Sequence, residues 1–142
     1  MVSNQTFNWP IRVYYEDTDS GGVVYHSNYL NFMERARTEW LRHLGFEQTY
    51  IRDELNVIFV VHNMQIIFKK PAKFNDMLTI TSQLCKVGRG SFEFMQTITT
   101  SEPVLGKRNV LVEAQVKLAC INALTFKPVG IPEQIKLTME QT

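Results

Sequence analysis

The chain has 142 residues, a formal net charge of +1 at pH 7 and 20% charged residues. This length and composition are ordinary for a globular protein, and we expect a single domain with one hydrophobic core across residues 1–142. Scattered basic residues and the lack of zinc-ligand spacing argue against a nucleic-acid partner, and no apolar stretch predicts a transmembrane segment or a signal peptide.

The two cysteines, Cys85 and Cys120, indicate the compartment. They are too few and too far apart for a disulfide framework, and both lie in predicted strands. Free cysteine in such positions behaves as a small apolar residue. We therefore expect a reducing, cytoplasmic location.

The N-terminal third predicts a strand, a loop and a long helix. Phe7 to Tyr15 is rich in aromatic and β-branched residues, and Pro10 indicates an edge strand. Polar and glycine residues favour a loop over Glu16 to His26. The apolar period then becomes helical from Asn28 to Leu44, and Gly45 predicts a left-handed stop.

The predicted helix carries a broad apolar stripe. Its members are Tyr29, Leu30, Phe32, Met33, Ala36, Trp40, Leu41 and Leu44. Ser27 or Asn28 can supply the N-cap oxygen. The charged positions, which we expect to face solvent or an interface, are Arg35, Arg37, Glu39 and Arg42.

After the helix the apolar period changes to two, which predicts strands. These cover Val57 to Phe68, Leu78 to Leu84, Phe92 to Ile98 and Val110 to Cys120. Gly88–Gly90 and Glu102–Gly106 mark short turns, and a short helical turn follows Pro132. Short turns between strands imply antiparallel pairing, so the pattern predicts a two-layer α+β domain. Uncovered sheet edges favour a homo-oligomer.

The segment from Tyr14 to Tyr29 combines more reactive residue types than any other. Asp17 and Asp19 stand two positions apart, the Gly21–Gly22 pair follows, and His26 lies just ahead of the predicted helix. Glycine lets a backbone turn tightly or approach a ligand, and a helix start offers unpaired N–H groups with a partial positive charge.

Four roles are open to this segment. A calcium loop counted from Asp17 would place Asn28 where the bidentate glutamate is needed. A metal site of Asp17, Asp19 and His26 lacks a supporting cluster of histidine or cysteine. A structural role suits Glu16 and Asp17, whose carboxylates can accept loop N–H groups or meet an arginine.

A catalytic role is the interpretation that we prefer for Asp19 and His26. A carboxylate can attack an activated carbonyl or take a proton from water, while helix-start N–H groups hold the developing oxyanion. A thioester is a suitable substrate for these groups, because its thiolate can leave without a strong general acid. This chemistry needs no cofactor and no metal ion.

A resemblance to the hot-dog-fold acyl-CoA thioesterases is carried by VYYEDTDSGGVVYHSNYLNFMERARTEWLR and by FVVHNMQIIFKKPAKFNDML. The chain is most similar to the Tol–Pal-system-associated branch, a relative of 4-hydroxybenzoyl-CoA thioesterase. The resemblance implies a hot-dog fold, in which a five-stranded antiparallel sheet wraps a long central helix. It also implies a dimer with a continuous sheet, usually doubled to a tetramer, and active sites between subunits.

The resemblance also implies roles for individual residues. It places the essential carboxylate on Asp19, accompanied by Tyr15 as an orienting hydroxyl. His26 would line the pocket and offer its backbone N–H to the thioester oxygen. Gly22 would let the loop approach the thioester.

Coenzyme A carries phosphates, so the resemblance implies basic groups along its channel. The basic candidates by position are Lys86 and Arg89 near the GRGS turn, and Lys69, Lys70 and Lys73. Ser91 of the same turn is a further candidate for substrate binding. Each of these basic residues fits a solubilising surface charge equally well.

These observations predict an acyl-CoA thioesterase that works with acyl-CoA and with further copies of its own chain. Hydration or dehydration of acyl thioesters is a second enzymatic alternative, although those relatives space their acid and histidine differently. A non-enzymatic subunit that binds acyl-CoA or acyl carrier protein, at a lipid-synthesis assembly peripheral to the inner membrane, is the third.

Overall fold

The computed structural model of the protein describes residues 5–101 and 108–142, so the predicted Glu102–Gly106 turn lies outside the described residues. The elements are β1 Phe7–Arg12, α1 His26–His43, α2 Gln48–Asp53, β2 Val57–Phe68, β3 Met77–Val87, β4 Ser91–Ser101, β5 Arg108–Asn122 and α3 Glu133–Gln141. A short 3-10 turn, Tyr15–Asp17, lies between β1 and α1.

The strands form one antiparallel sheet in the order β1-β3-β4-β5-β2. Helix α1 packs its buried side against one face of this sheet. The predicted α+β architecture, with one long helix on a five-stranded antiparallel sheet, is therefore confirmed. Within the described ranges, no helix combines the length and hydropathy of a membrane span.

The core lies between α1 and the inward face of the sheet. Alternate strand residues supply the sheet side, as the period of two predicts. They include Leu78, Ile80, Leu84, Phe92, Phe94, Ile98, Val112, Ala114, Val116 and Leu118. The prediction that Leu30 belongs to the helix stripe is wrong, because a step of about 100° from buried Tyr29 turns Leu30 to solvent.

The start of α1 differs from the prediction. The helix begins at His26, and its N-cap is Tyr25, which makes no side-chain cap hydrogen bond. Capping by Ser27 or Asn28 was the wrong expectation, because both residues lie inside the helix. The Asn28 amide instead donates to Asp17 Oδ1 at 2.8 Å.

The other ends of helices and strands are closer to those predicted from the local sequence. Gly45 has φ 101° and the Phe46 N–H donates to the Leu41 carbonyl at 2.9 Å, which confirms the predicted helix stop. Strand β1 ends at Arg12, before the predicted Tyr15, because the chain there turns into the 3-10 segment. The predicted C-terminal turn is a helix of 9 residues.

A polar group crosses the core between α1 and the sheet. Arg37 is only 7% exposed, and its Nη1 donates to Gln96 Oε1 at 2.9 Å. The Gln96 amide nitrogen donates to the Met33 carbonyl at 3.1 Å and to Ser82 Oγ at 2.9 Å. Burial lowers the pKa of Arg37 to about 10, so the guanidinium stays charged at neutral pH. The prediction that Arg37 faces solvent or an interface is wrong.

The two edges of the sheet differ in kind. Strand β1 is short and contains Pro10, which has no N–H to offer a neighbour. Strand β2 has 12 residues and, among the described residues, pairs only with β5. Val61, Ile67 and Phe68 on β2 are exposed. A long, apolar and unpaired edge of this kind favours pairing with another strand.

Replacing Gln96 by leucine tests the buried polar group. Gln96→Leu should lower the free energy of unfolding by about 3 kcal/mol, because the Arg37 guanidinium then stays buried without an acceptor. Urea unfolding followed by circular dichroism measures the loss. Adding Arg37→Met should restore most of it, and a double variant whose loss is the sum of the single losses would contradict the coupling.

Candidate active site

Asp17 anchors the loop that precedes α1. Its side chain is 5% exposed, and Oδ2 accepts the Tyr14 N–H at 2.9 Å while Oδ1 accepts the Asn28 amide at 2.8 Å. The Tyr25 N–H donates to the Asp17 carbonyl at 3.0 Å. The predicted structural role of Asp17 is confirmed. The same prediction for Glu16 is wrong, since its exposed carboxylate forms no hydrogen bond or ion pair with the described residues.

Asp19 begins a tight turn directly after this anchor. The Asp19 N–H donates to the Val23 carbonyl at 2.9 Å, and the Gly22 N–H donates to the Asp19 carbonyl at 3.1 Å. The half-buried carboxylate folds back on the turn, where Oδ1 accepts the Gly21 N–H at 2.8 Å and the Val23 N–H at 3.4 Å. Within the described chain Oδ2 accepts no hydrogen bond, so one oxygen is held and the other is available.

The two glycines serve the turn in different ways. Gly22 has φ 80°, a left-handed conformation that a side chain disfavours. A Cβ on Gly21 would lie 3.2 Å from Asp19 Oδ1, which is tighter than an ordinary contact. Both glycines therefore allow the Asp19 carboxylate to lie against the turn backbone.

His26 is the first residue of α1 and lines a cleft beside the loop. Its exposed ring lies 4.5 Å from the Phe68 ring, centroid to centroid. The cleft has a volume of about 180 Å³ and is lined by Val23, Val24, His26, Tyr29, Phe68, Lys69, Lys70 and Pro71. The first N–H groups of a helix have no intrahelical acceptor, and Tyr25 gives them no side-chain cap. A carbonyl oxygen could be held there.

Tyr29 lines this cleft and connects α1 to the segment that follows β2. Its buried hydroxyl accepts the Ala72 N–H at 2.9 Å, and the Val24 N–H donates to the Ala72 carbonyl at 2.9 Å. Burial raises the pKa of Tyr29, so the hydroxyl stays protonated at neutral pH. The sequence predicts Tyr29 only as a member of the apolar stripe, and no sequence signal points to its hydrogen bond with Ala72, which lies 43 positions away.

Tyr15 lies on another side of the loop from His26. Its ring is 74% exposed and stacks on Phe74 with 3.8 Å between centroids. Both rings line a separate, open cleft of about 410 Å³, which neither Asp19 nor His26 lines. The Phe74 N–H donates to the Gly22 carbonyl at 3.4 Å, so the stacked pair lies next to the Asp19 turn.

The GRGS residues lie far from the loop in the same chain. The loop follows β1, whose end pairs with Met77 at the start of β3, whereas Val87 ends that strand. Ten residues of strand span about 33 Å. Lys86 lies there, 4.0 Å from Glu93 and largely exposed. One chain therefore does not bring Lys86, Arg89 and Ser91 to Asp19.

The lysines after β2 are better placed. Lys69 and Lys70 line the His26 cleft, and the Val23–Lys73 bridge places the third lysine beside the turn. Lys69 is paired with Glu113 at 3.0 Å. In the part of the chain that the structure describes, no three His, Cys, Asp or Glu side chains group closely enough to hold a metal ion.

Comparison with known proteins places this site in context. Residues 21–107 match the family described as the Thioesterase superfamily. The Acyl-CoA thioester hydrolase YbgC of Shigella flexneri is 44% identical over 140 residues, which cover 99% of this chain and 100% of that protein.

Solved structures agree with this match. A probable thioesterase from Bartonella henselae superposes with a TM-score of 0.81 at 37% identity, covering 90% of this chain and 100% of the other. The 4-hydroxybenzoyl CoA thioesterase from Pseudomonas sp. strain CBS-3 has a TM-score of 0.84 at 17% identity, covering 94% and 98%. The latter likeness concerns the fold alone, and the predicted hot-dog fold is confirmed.

Removing the Asp17 carboxylate should loosen the loop. Asp17→Ala leaves the Tyr14 N–H and the Asn28 amide without their acceptor, so we expect the free energy of unfolding to fall by about 2–3 kcal/mol. Thermal unfolding and hydrogen exchange of the loop amides measure the effect. Glu16→Ala is the matched control, and an equal loss in that exposed neighbour would contradict the anchoring role.

Proposed function

Because the chain belongs to the thioesterase superfamily, we propose that it hydrolyses acyl-CoA thioesters to a free acid and coenzyme A. The observation that carries this proposal is the Asp19 carboxylate, held through one oxygen at a glycine turn just before the start of α1. The full-length similarity to an acyl-CoA thioester hydrolase supports the same substrate class.

Asp19 is the proposed catalytic group. The backbone N–H groups of Gly21 and Val23 fix Oδ1, which leaves Oδ2 to act on the substrate. Asp19 either attacks the thioester carbonyl carbon or takes a proton from the water that attacks it. The C–S bond then breaks, and the departing thiolate takes up a proton. On the nucleophilic route, a water molecule then hydrolyses the mixed anhydride between Asp19 and the acyl group, which restores the Asp19 carboxylate. Both routes end in a free carboxylic acid and coenzyme A.

His26 supplies the oxyanion site through its position at the helix start. Its backbone N–H, with the positive end of the α1 dipole behind it, stabilises the negative charge that develops on the carbonyl oxygen. The His26 ring lines the cleft together with Phe68. Tyr15 is proposed to orient the substrate from the neighbouring aromatic pair, and Gly22 permits close approach of the turn.

A second copy of the chain is proposed to complete the site. Antiparallel pairing of β2 with β2 of the partner extends the sheet and covers exposed Val61 and Ile67. This pairing reverses the strand, so the GRGS end of one chain moves toward the His26 end of the other. Lys86 and Arg89 could then meet coenzyme A phosphates, with Ser91 beside them.

The wider setting is proposed from the sequence resemblance. A cytoplasmic enzyme of this kind would act on acyl-CoA, with acyl carrier protein as a further candidate partner. The resemblance also predicts that two dimers form a tetramer and that the protein is associated with the Tol–Pal system. The proposed pairing through β2 is compatible with both predictions and requires neither.

Asp19→Asn tests the catalytic assignment. The amide oxygen can still accept the Gly21 N–H, so the turn should persist, but thiol release from acyl-CoA should fall by about 100-fold or more. The assay follows free thiol across aliphatic and aromatic acyl-CoA substrates. Circular dichroism and size-exclusion chromatography check the fold and the oligomer.

Glu16→Gln is the matched control for Asp19→Asn, because it neutralises an exposed carboxylate of the same loop. It should release thiol at the wild-type rate. Hydrolysis by Asp19→Asn that stays close to wild type would refute the assignment. Addition of EDTA should leave the rate unchanged, since no metal ion takes part in the proposed steps.

A further inference from the structure

The turn after β5 exposes two large apolar side chains. It covers Asn122 to Lys127, and within it Leu124 is 80% exposed and Phe126 is 66% exposed. Apolar side chains of this size are unfavourable in water, so a neighbouring pair at a turn tip indicates a surface that contacts something.

This turn is fixed in one conformation. Asn122 Oδ1 accepts the N–H groups of Leu124 at 2.8 Å and Thr125 at 2.9 Å, and the Asn122 N–H donates to the Lys127 carbonyl at 2.8 Å. Phe126 has φ 60°, a left-handed conformation that is strained for a residue with a side chain. These hydrogen bonds fix the backbone of the turn, and with it the positions from which the two side chains extend.

The turn and the His26 cleft lie at opposite ends of β2. Asn122 pairs with Val57 at the start of β2, and the Ala123 N–H donates to the Asn56 carbonyl at 2.8 Å. Phe68, the last residue of β2, lies against His26. About 36 Å of strand separates these ends, so the turn cannot reach the cleft of its own chain.

Pairing of two β2 strands removes this separation. Antiparallel pairing about the middle of the strand sets Val57 opposite the partner's Phe68. The Asn122–Lys127 turn continues past Val57 on β5, so in this arrangement it would lie two strand spacings, about 10 Å, from the partner's Lys69–Pro71 segment, which lines the cleft.

We propose that Leu124 and Phe126 of each chain form an apolar wall of the partner's active-site cleft, against the acyl-pantetheine part of the bound thioester. This inference rests on the proposed acyl-CoA hydrolysis and on pairing through β2. It assigns a role to two residues that lie at the opposite end of β2 from the His26 cleft of their own chain.

The variant Leu124→Ser with Phe126→Asn tests the wall. Asparagine tolerates a positive φ better than phenylalanine, so the double variant should keep or raise the melting temperature. Its kcat/KM for acyl-CoA should nevertheless fall about tenfold, as expected for the loss of apolar contact with the substrate. Leu137→Ser, at an exposed leucine of α3, is the matched control and should change neither quantity.

A mixed dimer decides whether the wall acts on the partner. One chain carries Asp19→Asn and an intact turn, the other carries Asp19 and the altered turn, and two affinity tags isolate the mixed species. A turn that serves the partner's cleft gives one intact site, so activity per dimer should recover to about half of wild type. A turn that serves its own cleft gives no intact site, and activity should stay near 5% of wild type by the tenfold loss above.

Each result separates this inference from the proposed function. A wild-type chain that releases no thiol refutes the function. A wild-type chain that is active, with full activity in the altered turn or no recovery in the mixed dimer, refutes only the wall. In a Cys85→Ser background, Leu124→Cys on one chain and Phe68→Cys on the other should also form covalent dimers with a short bis-maleimide. Absence of that product would overturn the placement without reference to activity.

Discussion

Among residues 5–101 and 108–142, strand β2 has a strand partner on one side only, and the other side of its backbone is unpaired. A row of N–H and carbonyl groups along 12 residues, with Ile67 and Phe68 exposed beside it, favours pairing with another strand. The same strand separates the proposed chemistry, because His26 contacts Phe68 at one end while Ser91 lies level with Val60 near the other. The proposed second copy would therefore complete the site as well as the sheet.

Within one chain, different hydrogen bonding gives two nearby carboxylates, Asp17 and Asp19, different proposed roles. Asp17 is buried and uses both oxygens to hold Tyr14 and Asn28, which fixes the path of the loop into α1. Asp19 uses one oxygen for its own turn and keeps the other available. The burial of the first carboxylate therefore positions the second, the proposed reactive group, which lies on a turn and not on a helix or strand.

The sequence predicted features that depend on local signals. Alternation of apolar residues gave the bounds of β2 correctly, and Gly45 marked the helix stop because a left-handed residue needs no distant partner. Arg37 was misjudged because Gln96, which accepts its hydrogen bond, lies 59 positions away. The predicted cap at Asn28 is wrong for a similar reason, since the Asn28 amide donates to Asp17, 11 positions away. The site residues carried over by resemblance could not be placed relative to one another before the strand order was known.

Two features of Phe126 are energetically unfavourable in the isolated chain. Its side chain is exposed to water, and its backbone is held at φ 60°. Strain is retained in folded proteins where surrounding contacts determine it, and here the contacts inside the turn fix the backbone without covering the ring. A surface from outside the chain would cover the ring. The proposed two-fold pairing of the β2 edges would supply such a surface at the cleft of the partner, so one symmetry axis would account for the unpaired edge, the exposed ring and the separated basic residues.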